Sequence, residues 1–583
     1  MSLVKSGNSF HQRHRQPKQV AGWSIVVLAI AFLIASPIIA VLMTAVIHLG
    51  DETANEIWGH LVETVLLNYI ANSLGLMFGV GFGVLLLGIS TAWLVTMCRF
   101  PGRRVYEWAL LLPLASPAYL LAYTYTDFLE YYGPVQTFLR TTFDWQSATD
   151  YWFPNIRSLG GAIVLFSLVL YPYVYMLARV AFQEQSLCAL EASRSLGCNP
   201  WRSFATVALP LARPAIAAGT ALALMETLND FGTVEYFSVR TFTTGIYRTW
   251  FGMGDRLAAT QLACILLTFI VVLVTLERVS RRQARYYQAV GSQQSLSTFD
   301  LSGVRAIAAS LTCALPIALG LLLPAALLLW MALANWQKSF DREFFELASH
   351  SFILAGITAC LGIALSLALA YGARLQSGKS VQWGVQVASL GYAVPGAVIA
   401  VGIMMPIGRL DNAIAALSES LFGISTGLLL SGTVVALIFA YLVRFLAISV
   451  STVQAGLTKI RPTLDDASRS LGNGPTQTLA QVHAPLLSGS LLTAAVLIFV
   501  DVMKELPATM VIRPFNFDTL AVRVFQYASD ERLVDAAVPA IAILIVGVIP
   551  VIFLSYQIAR DRPTQKPVSQ TTHLSDKTTN RTV

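Results

Sequence analysis

Glu191-Ala-Ser-Arg-Ser-Leu-Gly-Cys-Asn-Pro200 returns as Asp466-Ala-Ser-Arg-Ser-Leu-Gly-Asn-Gly-Pro475, 275 residues later (466 minus 191), with seven of ten positions identical. The same offset pairs Pro210 with Pro485, Glu226 with Asp501 and Asp230 with Glu505. Repetition at this scale means two copies of one structural unit. Each copy reads as a short helix followed by a turn. Ala192 and Ser193, like Ala467 and Ser468, make a small-residue face that another protein can approach closely. Arg194 and Arg469 offer a cation to a partner's carboxylate, and Gly197 and Gly472 permit a sharp helix end.

Around these stretches the chain is apolar. Of its 583 residues, 55% are hydrophobic and 12% charged, against about 25% charged in a soluble domain, which argues against a water-soluble globule. Apolar runs of membrane-spanning length occur near 23–47, 68–97, 105–126, 160–182, 210–229 and 257–277, and again near 307–334, 350–373, 382–405, 427–450, 485–503 and 535–558. The expected fold is therefore an all-α polytopic membrane protein, with about 12 transmembrane helices as two parallel six-helix repeats. Such repeats pack around an axis along the membrane normal, with a pathway between them.

Basic residues orient the chain. Arg99, Arg103 and Arg104 share one short loop, and Arg278, Arg281, Arg282 and Arg285 share another, whereas the first loop on the opposite side holds Asp51, Glu52, Glu56 and Glu63 without a Lys or Arg. The positive-inside rule places both termini and both repeated motifs in the cytoplasm. The first run is too long for a signal-peptide core and is flanked by Lys5, Arg13, Arg15 and Lys18, so it reads as a retained helix. The expected divisions are a cytoplasmic tail (1–20), a first transmembrane repeat (21–278), a cytoplasmic linker (279–305), a second transmembrane repeat (306–560) and a cytoplasmic tail (561–583). The six cysteines contain no C-x-x-C pair and read as free thiols; His48, His60 and His350 are isolated. The net charge of +7 comes with no basic folded domain, so no nucleic-acid partner is expected.

The repeated motif resembles the cytoplasmic signature of the permeases of ATP-binding-cassette importers, which has Glu-Ala-Ala, a Gly four positions on, then nine residues before Ile-x-Leu-Pro. Half one matches with Glu191, Ala192, Ser193, Gly197, Val207, Leu209 and Pro210; half two matches with Asp466, Ala467, Ser468, Gly472, Val482, Ala484 and Pro485. The departures are Ser for the second Ala, Val for Ile, Asp466 for Glu and Ala484 for Leu. The resemblance implies a type I importer-like fold, a coupling helix seated on a separate ATPase present in two copies, and a periplasmic substrate-binding protein, all at a bacterial inner membrane with membrane lipid around it. It also implies that this chain is no enzyme and holds no cofactor, ATP being bound by the partner. In keeping with that, the nearest approach to a P-loop, Tyr371-Gly-Ala-Arg-Leu-Gln-Ser-Gly-Lys-Ser380, has Ala373 where the first Gly is needed and follows a span instead of a strand.

Charged groups near a membrane path are costly and therefore default functional candidates. Glu226 and Asp230, four residues apart, read as sharing one helix face, and Asp501 and Glu505 repeat them. Twenty residues beyond Pro210, at 1.5 Å each, Asp230 is expected about 30 Å away, at an outer mouth. Four carboxylates suit a hard cation as transient ligands, with Glu235 and Tyr236 as further contributors. The competing reading is of helix-end charges neutralised by Lys504, Arg240 or Arg513. Asn229-Asp-Phe-Gly-Thr-Val-Glu-Tyr236 and its continuation to Arg248, with Lys504-Glu-Leu-Pro-Ala-Thr509, Arg513-Pro-Phe-Asn-Phe-Asp-Thr-Leu520 and Ala528-Ser-Asp-Glu-Arg532, resemble the fused permeases of ferric-iron importers. That resemblance implies Fe³⁺ as cargo. Related permeases move thiamine, polyamines or oxyanions, and an ion-coupled secondary carrier is the alternative from another class.

Overall fold

The computed structural model describes residues 18–47, 55–184, 196–197, 199–282, 299–334, 340–376, 378–424 and 427–560. Among them, ten helices are long and apolar enough to cross a membrane, and two bent helix pairs bring the number to as many as twelve. Half one contributes Gly22–Ile47, Leu66–Met97, the bent pair Arg103–Ala115 with Ala118–Phe143, Leu159–Gln183, Phe204–Asn229 and Arg256–Ser280. Half two contributes Val304–Ala334, Arg342–Leu375, Gly396–Phe422, Val434–Thr458, the bent pair Pro475–Leu486 with Ser488–Met503, and Leu533–Ile552.

The helices carry apolar side chains on their exposed faces as well as in the core. On Leu66–Met97, Leu74, Phe78, Phe82 and Leu86 recur every four residues and are exposed, while Ser73, Leu76, Val80, Val84 and Gly88 are buried. In lipid the hydrophobic effect does not favour one helix face over another, so large apolar residues can stand on the outside while Ser73 and Gly88 are free to take the close-packed side.

Two spans are broken at proline. Ser116 and Val394 are held extended (ψ 121° and 127°) before Pro117 and Pro395, and the helices Ala118–Leu129 and Gly396–Phe422 begin immediately afterwards. The cause is local: the proline ring clashes with the helical conformation of the residue before it. The runs read at 105–126 and 382–405 as single spans are thus each broken at mid-length.

A second backbone device repeats at the 275-residue offset. Phe204–Ala208 and Leu479–His483 each form one π-helical turn, in which Leu209 N donates to Phe204 O and Ala484 N to Leu479 O. Pro210 and Pro485 follow directly. Proline has no N–H to give and crowds the carbonyl four residues back, and a wider turn relieves both problems.

Each half lends its first helix to the other. Lys18–Ile47 packs against Arg342–Leu375, Lys379–Ala388 and Gly396–Phe422, while Val304–Ala334 packs against Leu66–Met97, Ala118–Leu129 and Leu159–Glu184. The approach is close: a Cβ on Gly402 would run into the Pro37 carbonyl. Tyr125 Oη donates to Leu319 O at 2.5 Å across the other exchange. Phe299–Asp300, which precedes Val304, pairs in parallel with Cys98–Arg99, so the entry to half two is tied to half one.

Candidate functional site

Four chain breaks converge between the halves. Besides those at Pro117 and Pro395, helix Leu209–Asn229 ends before Gly232–Tyr236, and Ser488–Met503 ends before Pro507–Ile512. The breaks surround a cavity of about 110 Å³ lined by Glu226, Asp230, Asp501 and Glu505 together with Tyr173, Tyr392, Arg444 and Lys504. All four sequence-predicted carboxylates therefore come together, at the ends of Leu209–Asn229 and Ser488–Met503. The chain past Asp230 forms two more short helices, Gly232–Tyr236 and Phe242–Tyr247, before the next span. Asp230 is thus not the far end of the fold, and the four carboxylates line a cavity between the halves.

The carboxylates fall into two kinds. Asp230 leaves the helix (ψ 139°) and caps the next one: its Oδ1 accepts from Thr233 N at 2.9 Å and Val234 N at 3.2 Å, and its Oδ2 from Thr233 Oγ1 at 3.1 Å. Glu505 does the same one repeat later, with Oε1 accepting from Ala508 N at 3.0 Å and Oε2 from Thr509 N at 3.1 Å and Thr509 Oγ1 at 2.6 Å. Negative charge suits a helix start, where unpaired N–H groups and the helix dipole point outward. Both residues therefore have structural work, and neither shares a helix face with its neighbour four positions back, as the sequence spacing suggested. Glu226 and Asp501 stay on their helices and face the cavity.

Cations from half two answer these charges. Arg444 Nη1 donates to Glu505 Oε1 at 2.8 Å, and Arg444 Nη2 lies 3.8 Å from Glu226 Oε2. Lys504 Nζ lies 2.8 Å from Asp501 Oδ1. At the 275-residue offset the counterparts of Arg444 and Lys504 are Val169 and Asn229, so the carboxylates are duplicated and the cations are not. Asn229 instead accepts from Gly396 N at 2.7 Å through Oδ1, tying the two halves together. Glu235 and Tyr236 do not line the cavity; Glu235 pairs with Arg248 at 2.9 Å and Tyr236 packs on Tyr123. Among the described residues no three His, Cys, Asp or Glu side chains are grouped to hold a metal.

Arg444 was legible as a lone charge inside the apolar run 427–450; its partners were not. Tyr173 on Leu159–Glu184 and Tyr392 in the turn Gly391–Ala393 carried no sequence signal, since aromatic residues fill membrane helices everywhere.

Of the repeated motif, Glu191, Ala192, Ser193 and Arg194 lie outside the described residues. Gly197 (φ +79°) and Gly472 (φ +86°) share the left-handed conformation expected of helix-ending glycines. In half two Asp466 and Arg469 pair at 2.9 Å on the surface and Ala467 is exposed. Ser468 instead turns inward, its Oγ 2.9 Å from Thr478 Oγ1. The small-residue outer face expected of Ala467 and Ser468 is therefore formed by Ala467 alone, because the hydroxyl is used to fasten the loop to its own bundle.

A three-residue anchor that the motif did not reveal completes the attachment. Asp465 Oδ2 accepts from Arg374 Nη2 at 2.7 Å and Nε at 3.0 Å, its Oδ1 lies 2.5 Å from His483 Nε2, and Arg374 also donates to the carbonyls of Leu457 and Ile460. Burial pushes the Asp465 carboxyl up, but the hydrogen bonds from Arg374 and His483 outweigh it and hold the group below the ordinary carboxylate range. Beyond the anchor, Leu471 stands out 82% exposed, and its counterpart Leu196 is 83% exposed.

Known proteins are similar to this chain in sequence, two of them through both halves. The chain is 24% identical over 544 residues to the Fe(3+)-transport system permease protein FbpB 2 of Haemophilus influenzae, covering 92% of this chain and 99% of that protein. It is 23% identical over 505 residues to the ferric transport system permease protein FbpB of Actinobacillus pleuropneumoniae, covering 83% and 70%. The molybdenum transport system permease protein ModB of Escherichia coli is 30% identical over 233 residues, which are 38% of this chain and 96% of that protein. A unit the size of one half thus stands as a whole protein in ModB, as the internal repeat requires. The sequence profile of binding-protein-dependent transport system inner membrane components matches residues 18–286. On the doubled motif, the two exchanged first helices and these similarities, the chain belongs to the binding-protein-dependent transport system inner membrane components, the permeases of ABC importers.

Proposed function

We propose that this chain is the fused permease of an ATP-driven importer that moves ferric iron, delivered by a periplasmic binding protein, into the cytoplasm. The observation that carries the substrate is the similarity to the Fe(3+)-transport permease of Haemophilus influenzae through both halves, 92% of this chain. The cavity agrees with it: four carboxylates against two cations leave net negative charge between the halves, and hard cations prefer carboxylate oxygen. Glu226 and Asp501 are the carboxylates open to a passing ion, while Asp230 and Glu505 shape the cavity by capping helices.

In this reading the ends bearing Gly197 and Gly472 are cytoplasmic, with both termini and the linker between the halves. Each offers a coupling site, so two ATPase copies dock, with Leu196 and Leu471 as apolar contacts beside Glu191, Ala192, Ser193 and Arg194 in one half and Asp466, Ala467 and Arg469 in the other. The apolar rows exposed on the spans suit a bilayer, and the inner membrane follows from the family. ATP belongs to the partner.

The test is radioiron uptake by cells with and without the chain, under ATP depletion and, separately, under collapse of the ion gradient. Uptake that needs the chain and ATP supports the assignment. Uptake that survives ATP depletion and fails with the gradient would assign the chain to secondary carriers instead.

A further inference from the structure

Where the two halves meet, a pair of tyrosines faces the cavity. Tyr173 comes from half one and Tyr392 from half two, and their hydroxyl oxygens stand 3.5 Å apart. Both line the cavity with Glu226 and Asp501, the two carboxylates not consumed by helix capping. Arg444 lines it as well, with 7% of its side chain exposed and, among the described residues, no hydrogen-bond partner for its Nε.

We propose that Tyr173, Tyr392, Glu226 and Asp501 form a transient oxygen-donor site that takes the ferric ion on its way between the halves. The proposal rests on the ferric reading above and names the groups that touch the cargo. A trivalent, hard ion favours anionic oxygen donors. Phenolate oxygen is such a donor, and tyrosinate is an established protein ligand of ferric haem iron. Each phenol loses its proton to solvent as its oxygen bonds to iron, because a metal ligand must be deprotonated. The charge count then changes usefully. Two phenolates and two carboxylates carry four negative charges against three on the ion.

About six donors complete an octahedral site, so four side chains leave about two positions for water, hydroxide or an anion travelling with the iron. The unpaired Nε–H of Arg444 is a donor in search of such an acceptor. The site is also built to let go. Lys504 is already 2.8 Å from Asp501 and Arg444 3.8 Å from Glu226, so each carboxylate has a resident cation that reclaims it when iron moves on. Release matters as much as capture in a pathway. Because the donors are divided between the halves, a relative movement that parts Tyr173 from Tyr392 dismantles the site.

The experiment uses the purified permease with its ATPase, loaded with ferric nitrilotriacetate and read by visible absorption, alongside radioiron uptake in cells. Wild type is expected to show a phenolate-to-iron charge-transfer band. Tyr173→Phe and Tyr392→Phe, which keep the rings, each weaken the band; the double variant abolishes it and lowers iron uptake about tenfold, as a loss of about 1.4 kcal/mol would, with ATPase co-purification unchanged. Wild-type complex that takes up iron but shows no band, or a double variant that transports at the wild-type rate, overturns the tyrosine site and leaves the ferric reading standing. Wild-type cells whose iron uptake is independent of the chain overturn both.

Discussion

Arg444 and Glu505 form an ion pair of 2.8 Å in the interior of the bundle, with 7% and 1% of their side chains exposed. Glu505 holds the start of Pro507–Ile512 and Arg444 holds Glu505, so the cavity wall depends on both. Arg444→Met alone leaves a buried carboxylate without its cation and is expected to cost about 3–5 kcal/mol. Adding Glu505→Gln removes the stranded charge and should recover most of that. Thermal unfolding in detergent compares the two; a double variant no more stable than the single one would show that the pair is not coupled.

The two positive-φ glycines of the repeated motif make a prediction about docking. Gly472 and Gly197 have positive φ, and an added Cβ meets nothing within 4 Å at either, so substitution strains only the backbone. The expected cost of Gly472→Val is about 1–2 kcal/mol, with Gly472→Asn milder. Valine at both positions should reduce ATPase co-purification while membrane insertion stays normal, and unchanged co-purification would remove these turns from the coupling site.

Acid should loosen the second loop through Asp465. Its carboxyl is depressed below the ordinary value of about 3.9, so its contribution to stability is complete above that value and is lost as pH falls through the lower folded one. Asp465→Asn should be less stable than wild type at neutral pH, and the difference should shrink only in strongly acid medium. Melting temperatures of both proteins across pH measure this; a constant difference down to the most acid point would exclude the linkage.

Among the carboxylates, the geometry separates passage from support. Glu226→Gln with Asp501→Asn keeps size and hydrogen bonding, removes charge from the cavity and leaves both caps intact. Iron uptake should fall by roughly an order of magnitude, the effect of about 1.4 kcal/mol, and by less in either single variant. Asp230→Asn should instead lower folded yield, since it weakens the hydrogen bonds from Thr233 and Val234. Normal uptake by a well-folded Glu226→Gln, Asp501→Asn protein would leave the four as structural charges only.

The sequence by itself determined the class of fold and its duplication. Apolar runs are selected by the bilayer one segment at a time, and the ten-residue repeat with its 275-residue offset survives in the letters, so spans, halves and the repeated motif are all local information. Helix breaks are partly local as well: Pro117 and Pro395 announce them, although an apolar run that continues across the break reads as one span. The exchange of first helices, the partner of Arg444, the inward turn of Ser468 and the meeting of Tyr173 with Tyr392 were decided only by tertiary structure. Each depends on which helix faces which, and in a membrane that choice is made by close packing and by the few polar groups that must find one another, as Asp465 finds Arg374 and His483 across 91 and 18 residues of sequence. The four carboxylates show both sides of the division. Their spacing was visible in the chain, but Asp230 and Glu505 became caps and Glu226 and Asp501 did not, because two new short helices start at residues 232 and 507 and leave backbone N–H groups that only a nearby acceptor can satisfy.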